Sequence, residues 1–259
     1  MKMIPQVKFK IESFDEAFKT IIRYLSPNNR WNKNIFKVYP NLEKKLDGLK
    51  TWREVERTAK KFFREFYNKN LDEINKKTEN YKKVWSECND EFMLALEEIL
   101  EIKWTKKFKI FTCRVGISPV CPRYLDKRMF DIYGFFNDEL LRRLVSHELL
   151  HFLYFEKWKQ VFPDYNKKKF EGPHLIWHLS EMVPKVILND KKIKDIIKYE
   201  SSVYPSYEKL KINDKPLLNY LQEIYDNKED FADFLRKAYD FVKEHEKEII
   251  KKSIIFSVI

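Results

Sequence analysis

Residues 141–155 read LRRLVSHELLHFLYF, and this stretch decides how the rest of the chain is read. His147 and His151 stand four apart, with Glu148 directly after the first. On an α-helix, positions four apart lie about 40° apart around the axis and about 6 Å along it. Both imidazoles therefore project from one face and can hold a single ion, while Glu148 is turned to one side of that face. This is the logic of the H-E-x-x-H pattern: two nitrogen ligands and a carboxylate within reach of a metal-bound water. Asn137, followed by Asp138 and Glu139, supplies a helix cap with an acidic first turn, so the stretch is predicted to be helical. Leu140, Leu144, Leu149 and Phe152 give this helix its packing surface.

Upstream the pattern shifts. Phe108, Ile110 and Phe111 lie in a β-prone run, and Met129–Tyr133 reads as a second short strand. Pro119 and Pro122 confine the residues between them to loop or sheet edge. Earlier still, Ser13 with Glu16 and Thr51 with Glu54 each form a capping box before residues at helical spacing. Residues 71–102 read as one long or twice-broken helix. After the motif, Pro173 is placed to begin another helix, and an amphipathic stretch runs from about Asp230 to Lys251. The predicted fold is α+β and mainly helical: an active-site helix beside a small sheet, with helical N- and C-terminal flanks. The expected segments are 1–105 (helical), 106–199 (metal-binding core) and 200–259 (helical).

Two histidines do not complete a catalytic zinc site, which takes three protein ligands and leaves one position open for water. The segment GPHLIWHLSEMV offers His174, His178 and Glu181 at i, i+4 and i+7, on one face of the next helix. The residues leave three assignments open for the third ligand. For a donor to the developing oxyanion, the candidates are His178, Tyr199, Tyr204 and Tyr207.

His147-Glu148-Leu-Leu-His151, followed by a downstream helix bearing a glutamate, resembles the gluzincin branch of zinc metallopeptidases. The resemblance covers roughly residues 107–190. It implies Zn2+ held by His147, His151 and Glu181, with Glu148 as the general base of peptide-bond hydrolysis. The substrate would be a peptide or protein, lying extended along an edge strand near 107–113 or 129–134. The metzincin extension is absent, since Tyr154 stands where its glycine would be. A competing resemblance, with His174 as third ligand, is to SprT-like proteases that act on DNA-attached proteins.

Bulk composition sets the frame. The 259 residues carry a net charge of +11, yet the lysines are spread through nearly every segment rather than gathered in a tract. Nucleic acid is therefore a possible partner but not the favoured one, and a non-catalytic basic nucleic-acid-binding protein is the contrasting class. Four glycines in the whole chain, against a usual frequency of roughly 7%, argue for long helices and few tight turns. Cys88, Cys113 and Cys121 lack paired spacing and suit a reducing compartment. With no apolar leader and no run long enough to span a bilayer, a cytoplasmic, membrane-free protein is expected.

Overall fold

The computed structural model describes residues 3–256 apart from 28 and 30, with side chains described through 251. It is a mainly helical α+β protein with a small mixed sheet of four strands and a separate two-stranded ribbon. The chain forms two compact units that each draw on separate stretches of sequence. They divide the chain differently from the sequential segments 1–105, 106–199 and 200–259.

The sheet unit comprises Gln6–Glu87 and Ile110–Leu141. Its strands are β1 (Gln6–Ile11), β2 (Ile110–Gly116), β3 (Arg123–Tyr124) and β4 (Met129–Tyr133), in the order β1-β2-β4-β3. β1 and β2 are parallel, as are β2 and β4, while β3 closes antiparallel on β4. The register lines up Phe9, Cys113 and Phe130 across three strands, and Ile11, Val115 and Ile132 beside them. Strand side chains alternate between faces, so these rows make one apolar face. Helices α1 (Phe14–Leu25), α2 (Asn32–Val38), α3 (Pro40–Leu46) and α4 (Trp52–Ser86) belong to the same unit. Both expected capping boxes are formed, Ser13 with Glu16 and Thr51 with Glu54. Tyr39 meets Phe62, Phe63 and Phe66 edge-on, and its hydroxyl donates to the Ile117 carbonyl at 2.7 Å.

Four expectations are corrected here. The N-terminal hundred residues are not all helical, because β1 opens the chain with Val7, Phe9 and Ile11 alternating against lysines. Phe108 lies in a 3-10 turn, and the strand begins at Ile110. Strand β2, within 107–113, offers no free edge, whereas β4, within 129–134, is paired on its outer side at Met129 and Phe130. β1 covers one side of β2, and β4 lies between β2 and β3. The long reading of 71–102 resolves into the C-terminal part of α4 and a separate α5 (Asn89–Ile99).

The site unit comprises Met1–Pro5, Cys88–Lys109 and Arg142–Ile259. It holds α5, most of α6 (Asp138–Val161), α7 (Leu175–Ile187), α8 (Lys191–Ile197) and α9 (Pro205–Glu208). The ribbon β5 (Lys211–Ile212) and β6 (Lys215–Pro216) follows, then α10 (Leu217–Asp226), α11 (Phe231–Glu244) and α12 (Glu246–Phe256). α7 is the centre of this unit. Every residue of it except Lys185 is buried, and α10, α11 and α12 pack around it. A helix buried on all sides carries apolar residues all round, as Leu175, Ile176, Leu179, Met182, Val183 and Ile187 do here. The single helix expected over 230–251 is two, broken at His245, and Asp230 caps the first through a bond from the Asp233 amide. Pro173 stands before α7 rather than within it, with His174 as the N-cap residue.

Candidate metal centre

α6 forms as its sequence requires: the Leu140 amide donates to the Asn137 side-chain oxygen at 2.8 Å, closing the cap. Nine residues of helix from Leu140 then lead to Glu148, which is buried. One turn on from His147, His151 is fully buried, stacked at 6.0 Å against Phe155. Phe155 is in turn stacked at 4.2 Å on Phe170. The imidazole of His151 is thus wedged by aromatic rings rather than left to rotate.

α7 brings Glu181 to the same place. Its Oε2 lies 3.3 Å from His147 Nε2 and its Oε1 3.6 Å from His151 Nε2, while the two Nε2 atoms are 2.9 Å apart. A tetrahedral zinc ion with bonds of 2.0–2.2 Å to nitrogen and oxygen holds its ligand atoms about 3.3 Å from one another. The two imidazoles approach different oxygens of Glu181, and one ligand atom from each of the three side chains lies within 4.8 Å of the others, close enough for the three to share one such ion. Among the described residues they are the one group of three or more His, Cys, Asp or Glu side chains placed to share an ion. Burial adds a second argument. Glu181 is 3% exposed in the interior of an apolar helix, where a carboxylate is costly without a cationic partner. The 16% exposure of the His147 side chain, against none for His151, marks the side from which the cluster is reached.

The other candidates fall elsewhere. His174 is exposed at the N-cap of α7 and lies outside the cluster. His178 is buried, its Nδ1 2.7 Å from the Tyr207 hydroxyl. Since His178 precedes Glu181 by three residues, this polar pair sits on the face of α7 that carries Glu181. Tyr204 is exposed, with its ring 6.0 Å from that of Tyr207. Tyr199 lies under the guanidinium of Arg143, 5.6 Å from ring centre to Cζ.

Sequence reasoning passed over Arg143, although it belongs to the stretch 141–155. It stands four residues before His147, so Arg143, His147 and His151 form one row along α6. Arg143 also donates to the Ser202 hydroxyl, tying α6 to the segment between α8 and α9. The i, i+4 spacing was a usable signal; its hydroxyl partner, 59 residues away, was not.

Compared with protein-family models, characterised proteins and solved structures, the chain matches none.

Proposed function

We propose that the protein is a zinc-dependent metallopeptidase of gluzincin type, with His147, His151 and Glu181 as metal ligands and Glu148 as the general base. The observation that supports it best is the convergence of a carboxylate from α7 on two imidazoles from α6, close enough for all three to share one ion. Three ligands from the chain, two nitrogens and one oxygen, would leave zinc able to take up a water as well. They also match the donor preference of zinc better than that of calcium or magnesium, which take oxygen ligands.

When bound, zinc acts as a Lewis acid and brings the pKa of its water to about 7. The chain supplies the rest. Glu148 is adjacent to His147 and about 100° round the helix from it. Its carboxylate takes the proton from the attacking water and returns it to the leaving amine. His178 and the Tyr207 hydroxyl are the polar pair on the α7 face nearest Glu181, and they are the groups we assign to steadying the developing negative charge. The substrate is a peptide or protein.

Two measurements test the reading. The purified protein is expected to hold one equivalent of zinc, retained in Glu148→Gln and lost in His147→Ala and His151→Ala. Glu148→Gln is expected to lower peptide hydrolysis by at least about a hundredfold, the usual scale for loss of a general base. A wild-type protein that folds but takes up no zinc would overturn the assignment. So would full activity in Glu148→Gln.

A further inference from the structure

We infer that Arg143 recognises a carboxylate of the peptide substrate, an inference that rests on the metallopeptidase reading above. Arg143 lies one helical turn before His147 on the row of α6 that carries both imidazoles. Its guanidinium is half-buried and positioned by two neutral groups, the Ser202 hydroxyl and the Tyr199 ring. Among the described residues it meets no carboxylate. The contrast with Arg114 in the sheet unit is informative. There Asp131 binds the guanidinium through two bonds of 2.7 and 2.8 Å, and Glu16 and Glu12 stand at 3.1 and 3.2 Å. Arg64 likewise has Asp15 at 3.2 Å.

A half-buried cation held in place but left without a counter-charge is suited to an anion that arrives from outside. A guanidinium has five N–H donors in a rigid fork that matches a carboxylate, and a hydroxyl uses few of them. The charges point the same way. A divalent ion with Glu148 and Glu181 is neutral overall, and Arg143 makes the site cationic. The carboxylate comes either from the peptide's own C-terminus or from an Asp or Glu side chain close to the scissile bond.

The test uses the zinc-loaded Glu148→Gln protein and calorimetric titration of three N-blocked peptides of one length. The first is a free acid of neutral sequence, the second its C-terminal amide, and the third an amide carrying one glutamate. The same peptides are assayed for hydrolysis by the parent protein. The free acid is expected to bind roughly tenfold to a hundredfold tighter than its amide, as a charge-assisted pair to arginine does. In Glu148→Gln/Arg143→Gln that preference disappears, and in Glu148→Gln/Arg143→Lys part of it returns, which separates lost recognition from lost folding. If the glutamate amide shows the Arg143-dependent gain and the free acid does not, the side chain is the source of the carboxylate. Equal binding of all three peptides, no binding of any, or a preference untouched in Arg143→Gln overturns the inference. Arg143-dependent binding without hydrolysis by the parent protein overturns the peptidase reading alone. Hydrolysis indifferent to the carboxylate overturns the inference alone.

Discussion

At the scale of single residues, the sharpest expectations concern charges placed where they are costly. Glu181→Ala is expected to weaken zinc binding by several orders of magnitude, whereas His174→Ala leaves it unchanged; competition with a chromogenic chelator measures both. Equal affinity in Glu181→Ala would remove it from the ligand set. In the sheet unit, Glu12 is buried and its carboxyl is pushed up to about 8, chiefly by burial and then by Asp131, with Arg114 opposing. The folded state therefore holds a proton that the unfolded state releases above its ordinary value of 4.5. The stability this group contributes is fully present below about 4.5 and is lost as pH rises through about 8. Urea titrations at several pH values are expected to show stability falling over this interval, and Glu12→Gln is expected to flatten the slope. The same carboxylate explains Gly116: a Cβ there would lie 2.3 Å from Glu12 Oε2. Gly116→Ala is accordingly expected to cost about 1–3 kcal/mol in the same titrations. None of this was visible in the sequence, where Glu12 and Gly116 are unremarkable residues 104 positions apart.

At the scale of elements, local rules were legible wherever the deciding contacts are local. The Ser13–Glu16 and Thr51–Glu54 boxes bond residues three apart, and both formed. Thr51→Ala is expected to cost about 1 kcal/mol on thermal unfolding, since it opens the start of the longest helix. Strand β1 was missed although QVKFKI alternates with period two, because six residues with three lysine or glutamine positions carry a weak signal alone. What makes it a strand is its ladder with β2, a partner 104 residues away in register. The same pairing removed the free edge expected at 107–113. α7 was legible as a helix, but not as the central one. Tyr207→Phe, which deletes the 2.7 Å bond to His178 from that helix's surroundings, is expected to cost about 1 kcal/mol.

At the scale of the whole molecule, the two units interleave along the chain, so sequence order is a poor guide to division. Residues 88–105, read as part of an N-terminal helical stretch, belong with Arg142–Ile259. α5 packs on α8, about a hundred residues further along the chain, and such contacts have no local signature. The proposed ion would tie α6 to α7 at the centre of the site unit, so its binding is linked to folding. Chelation is expected to lower the Tm of the wild-type protein by several degrees and to leave that of His147→Ala/His151→Ala unchanged. A wild-type Tm indifferent to chelator would oppose the metal assignment at this scale. Among the described residues no helix is long and apolar enough to cross a membrane, and none of the three cysteines is in a disulfide.

The sequence by itself determined the things that depend on neighbours within a turn or two: that 138–161 is a helix, that His147 and His151 share its face, that Glu148 stands beside them, and where α1 and α4 begin. It also narrowed the partner of the histidines to three residues on the next helix. The tertiary structure alone decided which of the three meets them. The three share one face and differ in height along the helix, so the choice depends on where along its length α7 meets α6, which is set by packing against α10, α11 and α12 rather than by any spacing in the chain. The place of Arg143 beside the pair, without a carboxylate of its own, was decided in the same way.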